Sequence, residues 1–571
     1  MDSKNNLNIL RSFVIMIKKV KLLILILIVN IQIFSKDYYG VRYSELAMDI
    51  NHLDPIFSED SYRWVRFAEL INARLVTNNE KLQQYEDLLL KMPSAIEQDF
   101  NLELKEVINW KDGTPITTAD IAFTFELYKA SSRKEYLKVV DYVDVEIVDD
   151  KKIIFKKPAH VKDWEEFRNA INFYLPNIYI LPKHIIQDIP LEKFGEYTKK
   201  PLGAGPYYIN DINVEGEKVS ITLFKNDFYH NEPVPRGIKE VEVVTENEIG
   251  NAISNLQKNT ENCIKNGKNT CIDILSFSID SRILQDDLDN QADINKYPYA
   301  ENSWMGMAFN TNVPLLNNKE FRIIIDEIID DEFLIKQYYN KMGTEQNAKD
   351  VTGPFHPDFG ILAKNLHDRK SGSKEIINKL INGGFRIQDT NTDYLQVFNS
   401  NTSNYEDLQL VLIYDKSVVR ETSTTRQVFT KIVKYFKSCK IKLILDGQDQ
   451  KNFNKKVASK SGWDLAFKKY IFDWRSDLKP LFSKNSLNNI TGYSSPVLDK
   501  LLEEYDTYKT IDKINAGEKI HKHCYDNVPY LFLWTVKAKT YYRDIIKDVK
   551  ITPMTFFGTI NDWMVSPRNE N

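Results

Sequence analysis

The chain has 571 residues, 42% apolar, 27% charged and 12% aromatic, a globular balance rather than a disordered or collagenous one. At roughly 100–200 residues per domain, the length allows about three to five domain-sized units. A net charge of −4 argues against a dedicated nucleic-acid binder, and the one long apolar run excludes a polytopic membrane protein.

That run comes first in the chain. Lys18, Lys19 and Lys21 precede the apolar stretch Leu22–Phe34. A basic segment followed by about 7–15 apolar residues is the plan of an export signal, and the run is short for a membrane span of about 20. Residues 1–35 are therefore expected to be a signal peptide, with an uncleaved anchor as the alternative. They carry five bases (Lys4, Arg11, Lys18, Lys19, Lys21) and one acid (Asp2), so their removal takes the net charge from −4 to −8. No Cys precedes Cys263, so no lipid-modified N-terminal cysteine is expected. The expected location is a periplasm.

Short β-patterned stretches dominate the first half. Leu102–Trp110 alternates apolar and polar residues, as a half-buried strand does. Thr117-Thr118-Ala119-Asp120 begins a helix, with a Thr N-cap and an acid in the first turn. Val143–Lys157 reads as two strands around Asp149–Asp150, and Val219–Phe224 and Ile238–Val244 read as further strands. In the second half, Glu320–Tyr339 reads as one buried helix and Lys374–Phe385 as a helix stopped by a Gly pair. Ser495–Tyr508 reads as a helix opened by Ser-Pro. The mixture predicts an α/β protein of mixed α+β lobes. No long linker separates the lobes, so the chain is expected to cross between them more than once.

Familiar catalytic signatures are missing: there is no GxSxG, HExxH, P-loop or GxGxxG. Of eight histidines only His521 and His523 are close. On a helix, positions i and i+2 point about 200° apart and would not share a metal. They are expected to be a solvated helical pair, and no metal site or cofactor is predicted. Cys263 and Cys271 flank a polar loop that can close as a disulfide in an oxidising compartment. Cys439 and Cys524 would pair only if the fold brought them together.

The stretch Asn109–Leu127, NWKDGTPITTADIAFTFEL, resembles a signature of the family 5 extracellular solute-binding proteins of ABC importers, the oligopeptide- and dipeptide-binding family. Further stretches resemble that family's motifs in the same order: Leu53–Pro55, Ile180–Ile185, Pro201–Ile209, Leu223–His230, Met307–Leu334 and Gly492–Leu502. Departures are the longer Cys263–Cys271 loop, Ala204 in the Gly-Pro-Tyr strand, and the degenerate FDWRSDLKP at Phe472–Pro480.

The resemblance implies a periplasmic-binding-protein-like fold, a three-lobed, two-hinge clamp. Lobe I would combine residues 36–62, 196–275 and 529–571. Lobe II would span 63–195 and lobe III 276–528, with hinges near Asp273–Phe277 and Asn527–Tyr530. The implied function is capture of peptides and delivery to an ABC permease with its ATPase, by a monomer with no catalytic role. Alternative cargoes on the same fold are nickel, haem, a sugar or a microcin-C-like compound. Val234–Ile238 is similar to the microcin-C uptake branch. An exported hydrolase is the alternative from another class.

The resemblance also implies how a peptide is held. A strand adds the ligand backbone by hydrogen bonding, and a carboxylate anchors its ammonium group. By position, Lys469, Tyr470 and Ile471 match the strand, and Asp473 matches the carboxylate, with Asp477 as the rival. Trp474 matches a side-chain pocket, and Glu59, Asp60 and Ser61 match the opposite wall.

Overall fold

The computed structural model describes residues 38–45, 53, 61–79, 83–93, 99–130, 138–216, 218–231, 234–246, 249–258, 263–265, 268–275, 282–340, 346–358, 360–366, 369–387, 393–399, 402–472, 476–484, 486–551 and 555–568. The expected signal, residues 1–35, lies outside them.

In chain order the elements that place the site are β1 (Gly40–Glu45), α1 (Ser61–Ile71), β2 (Phe100–Glu103), α2 (Thr118–Ala130), β3 (Asp144–Ile147), β4 (Lys152–Lys156) and α3 (Trp164–Tyr174). Then come β5 (Tyr207–Glu215), β6 (Lys218–Lys225), β7 (Glu240–Thr245), β8 (Ile274–Leu275), β9 (Ile294–Tyr299), β10 (Ser303–Phe309) and β11 (Ala348–Asp350). The remainder are β12 (Gln409–Asp415), α4 (Thr424–Ser438), β13 (Lys442–Gln448), β14 (Leu465–Ile471), α5 (Pro496–Tyr505), α6 (Thr510–Asn527), β15 (Tyr530–Val536) and β16 (Ala538–Arg543).

Three sheets organise the chain. A seven-stranded sheet has the order β9-β16-β8-β1-β7-β6-β5, with β1 parallel to both its neighbours. A six-stranded sheet has the order β11-β15-β10-β14-β12-β13, and a three-stranded antiparallel sheet the order β2-β4-β3. Each carries its own core. The six-stranded sheet buries both faces: Met307, Phe309, Leu465 and Phe467 on one, Trp304, Ala308, Ala466 and Tyr470 on the other. Alternation at period two delivers these residues to opposite faces. The three-stranded sheet packs with α2 and α3 around Trp110, Phe125, Phe155 and Phe167.

Several expected elements form as read. Asp120 closes the start of α2 by accepting the Thr117 N–H at 2.9 Å, an acid at the third helical position serving the N-cap amide. Ser495 caps α5 by accepting from Leu498 N–H. Gly113 takes φ +87° in the Asp-Gly turn, where glycine carries no steric cost. Gly203 and Gly205 run against the end of α1: a Cβ on Gly203 would lie 1.7 Å from the Ile71 carbonyl oxygen.

Other readings are corrected. Strand β2 stops at Glu103, and Leu104–Trp110 continues only as isolated bridges at Leu104 and Asn109. The single helix read at Glu320–Tyr339 is broken into Lys319–Asp326, Asp331–Leu334 and a wider turn at Ile335–Tyr339. Asp330 causes the restart by capping Phe333 N–H, a local bond that competes with helix continuation.

The crossings between the two large sheets also differ from expectation. After residue 276 the chain first returns to the seven-stranded sheet as β9, paired antiparallel with β16 from Ile294↔Arg543 to Tyr299↔Ala538. It reaches the six-stranded sheet over Ala300–Asn302. It stays there through β15, which is buried almost throughout, and returns over Lys537. The crossings therefore fall later than Asp273–Phe277 and Asn527–Tyr530.

The Cys263–Cys271 disulfide is present, while Cys439 and Cys524 are separate buried thiols. Just beyond the disulfide, Asp273 knits the seven-stranded sheet. Its fully buried carboxylate accepts Arg568 Nη1 at 2.9 Å and Nη2 at 3.1 Å, and the Arg42 N–H at 2.9 Å. Arg543 Nε lies 3.3 Å away.

Candidate ligand-binding cleft

The strand expected to pair with ligand is β14, and its two edges differ. Along β10 it is paired over its whole length, from Ser303↔Ile471 to Phe309↔Leu465. On the other side β12 pairs only at Leu412↔Leu465 and Ile413↔Ala466, then diverges. Phe472 N–H donates to the Asn302 carbonyl, so by alternation Lys468 and Tyr470 bond towards β10. The main-chain groups of Phe467, Lys469 and Ile471 face the other way. Among the described residues no strand covers that edge beyond Ala466.

Side chains fix this edge. Tyr470 is buried and stacks on Trp304 at 4.1 Å between ring centroids, and burial pushes its hydroxyl pKa up. Lys469 pairs with the buried Glu301 at the crossing between the large sheets. Ile471 is 42% exposed. Lys468 lies over the Tyr470 ring at 5.8 Å, and burial pushes its ammonium pKa down.

The degenerate segment follows. Asp473 and Trp474 lie outside the described residues, as do Glu59 and Asp60; Ser61 opens α1, and its side chain is not described. The rival carboxylate, Asp477, is described. Ser476 before it takes φ +50° and accepts from Asn302 Nδ2 at 2.9 Å, which ties the segment to the crossing. Asp477 Oδ1 accepts the Lys479 N–H at 2.9 Å, and the residue lines a pocket together with Phe173, Tyr174, Tyr505, Tyr508 and Lys513. Burial first, then the Asp477 charge, pushes the Tyr505 hydroxyl up. Lys513 Nζ sits 4.8 Å from the Tyr505 ring centre and 5.3 Å from that of Phe173, within cation–π range. Lys479 pairs with Asp506 at the pocket rim.

The pocket thus sets an aspartate beside aromatic rings and two lysines, Lys479 and Lys513, a surface that can meet both charged and apolar groups. Its Phe173 and Tyr174 walls were not among the residues singled out in the sequence. They come from α3, about 300 residues earlier, and no local pattern links them to Asp477.

The histidine pair is not the solvated pair expected. His521 is buried: its Nδ1 accepts the Ala363 N–H at 2.8 Å, leaving Nε2 to donate to Thr352 Oγ1 at 3.1 Å. His523 instead meets the Tyr493 hydroxyl at 2.9 Å. The two diverge on α6. Among the described residues no cluster of three or more His, Cys, Asp or Glu is placed to hold a metal.

A comparison with family models matches residues 94–491 to the middle region of the bacterial extracellular solute-binding proteins, family 5. Among curated relatives, a Brucella melitensis protein provisionally named for ABC-transporter peptide binding is 25% identical over 149 residues, 24% of this chain and 27% of the relative. The peptidoglycan-binding protein YepA of Agrobacterium fabrum is 32% identical over 133 residues, 22% of this chain and 19% of that one. The chain thus matches about a quarter or less of these relatives' length. Among solved structures, CtaP of Listeria monocytogenes, an ABC transporter substrate-binding protein, aligns with TM-score 0.71 and 19% identity over 93% of this chain and all of that one. NikZ of Campylobacter jejuni in complex with Ni(L-His) aligns with TM-score 0.70 and 17% identity, over 92% and 99% of the chains. AppA of Bacillus subtilis in complex with a nonapeptide aligns with TM-score 0.68 and 16% identity, over 93% and 100%. These likenesses establish the periplasmic-binding-protein-like fold. The chain belongs to the bacterial extracellular solute-binding proteins of family 5.

Proposed function

We propose that the protein is the non-catalytic solute-binding component of an ABC importer and that its cargo is a peptide. The observation that carries the reading is the uncovered edge at Phe467–Ile471. An extended peptide laid on that edge gains main-chain hydrogen bonds without its side chains being read. Its ammonium group then meets a carboxylate. Lys469, held by Glu301, and Ile471 present the edge, while Tyr470, whose main chain bonds to β10, braces the strand by stacking on Trp304. Asp477 is taken as the anchor in this reading because of the aromatic rings around it, and Asp473, Trp474, Glu59, Asp60 and Ser61 remain sequence-based members of the site. The AppA–nonapeptide complex lends a precedent on the same fold.

In this reading three lobes form around the three sheets, and the two large ones close on the solute about Ala300–Asn302 and Lys537. Residues 1–35 serve as the export signal, the location is the periplasm, and a monomer hands cargo to a permease driven by its ATPase. His521 and His523 hold α6 in place and have no catalytic part.

Denaturing the purified protein and identifying released small molecules by mass spectrometry tests the class of cargo. Peptides are expected; a nickel complex, haem, sugar or microcin-like compound as sole cargo overturns the peptide reading. Titration calorimetry with a recovered peptide tests the anchor. Asp477→Asn removes a charge-assisted hydrogen bond of about 1.5–3 kcal/mol, a loss of roughly 10- to 150-fold in affinity. Unchanged affinity in Asp477→Asn together with a large loss in Asp473→Asn returns the anchor to Asp473.

A further inference from the structure

Among the described contacts between the region of the three-stranded sheet and that of the six-stranded sheet, many gather on one short turn. Between α5 and α6 the chain turns at residues 506–509, and Tyr508 leaves its own region. Its ring packs on the core of the three-stranded sheet, and every other described side chain of that core comes from residues 73–204. Tyr508 meets Tyr142 edge-on at 5.0 Å and Tyr174 at 5.6 Å between ring centroids. Its hydroxyl shares a 2.6 Å hydrogen bond with that of Tyr174.

Polar contacts converge on the same turn. Asn169 Nδ2 donates to the Tyr508 carbonyl at 2.8 Å and to Thr510 Oγ1 at 3.3 Å. Lys509 Nζ pairs with Asp163 Oδ2 at 2.9 Å, while the other oxygen of Asp163 caps α3 at Glu165 N–H. The turn therefore grips both ends of α3, Asp163 at the start and Tyr174 at the close. Tyr174 and Tyr508 are also walls of the pocket holding Asp477.

A few aromatic and polar contacts between two separately cored regions make a reversible joint rather than a fixed one. We propose that the 506–510 turn is a latch: inserted between Tyr142 and Tyr174, Tyr508 holds α3 over the Asp477 pocket, and opening the pocket requires withdrawing it. The latch slows release of whatever the pocket holds. Only that consequence rests on the peptide reading.

Electron–electron distance measurements test the latch without any ligand. Spin labels are placed in the full chain at Glu126→Cys on α2 and Lys434→Cys on α4, both away from the turn; the native free thiols are buried. Tyr508→Ala is expected to raise the ratio of long-distance to short-distance molecules roughly tenfold or more, the scale of one lost buried hydrogen bond with its ring packing. Should that variant fold poorly, Tyr508→Phe with Lys509→Ala keeps the ring and removes the hydroxyl bond and ion pair, and is expected to shift the ratio the same way by a smaller factor. An unchanged distribution in a folded variant overturns the latch and leaves the peptide reading intact. A shifted distribution in a protein from which no peptide can be recovered does the reverse.

Discussion

Asp273 is the position where one substitution should do most damage. Replacing it with Asn keeps the size and removes the charge. Two guanidiniums, one fully buried and one 6% exposed, then face each other without their shared anion. Removing one partner of a buried pair costs about 3–5 kcal/mol. Arg543 keeps hydrogen bonds to the carbonyls of Ile272, Lys258 and Asn255, which places the cost near the low end. Arg568 loses its bidentate contact and keeps the Gly40 carbonyl and the Tyr38 ring, 5.5 Å away. About 3 kcal/mol corresponds to a roughly 150-fold loss of protection. Native-state hydrogen exchange reads this locally, which suits a chain whose sheets need not unfold together. Peptides covering β1, β8 and β16 should lose protection, while those covering β10 and β14 should keep it. Adding Arg568→Gln to Asp273→Asn removes the excess charge and should recover part of the loss. A loss under roughly fivefold at β1 and β16 would refute the argument, since it would mean that the charges are not desolvated.

Two further predictions concern the end of α1. Gly203→Ala drives a methyl group into the Ile71 carbonyl and should cost about 1–3 kcal/mol by overpacking, seen as a lower denaturant midpoint; an unchanged midpoint would show that the close approach is relaxed. Glu69 accepts the N–H groups of Phe556 and Phe557 at 3.0 and 2.8 Å, yet burial pushes its carboxyl from 4.5 up to about 7, against the opposing charges of Arg74 and Arg66. An acid raised on folding adds stability that is complete below pH ~4.5 and fades as pH rises towards 7. The Tm of the wild type should therefore fall across that window relative to Glu69→Gln, and parallel Tm–pH curves for the two would contradict it.

How much of this was legible in the sequence depended on how local the cause was. The helix start at Asp120, the Ser495 cap and the Cys263–Cys271 bridge each rest on residues a few positions apart. They form as read because nothing distant competes. The break at Asp330 was missed although its cause is local, because apolar periodicity runs on through Glu327–Asp330 and masks a capping aspartate. The crossings were misplaced for a different reason. Whether β9 belongs to one sheet or the other is decided by pairing with β16, about 245 residues on, and neither strand's own pattern names its partner.

The site shows the same division. That a strand would run through Lys469, Tyr470 and Ile471 was implied by the family resemblance. That one of its edges would stay open was not, because openness depends on where β12 diverges. Position in the resembling segment put Asp473 first and Asp477 as its rival. In the fold, Asp477 gains its setting from the Ser476 turn tied to Asn302 and from rings on α3. The walls around a carboxylate decide what it can hold. Here those walls come from Phe173, Tyr174 and Tyr508, residues that read in sequence as ordinary helix and turn positions. The same rings that give Asp477 its pocket also close the joint over it, so a substitution at Tyr174 or Tyr508 should alter retention as well as recognition of solute. Measuring on- and off-rates separately would tell the two effects apart.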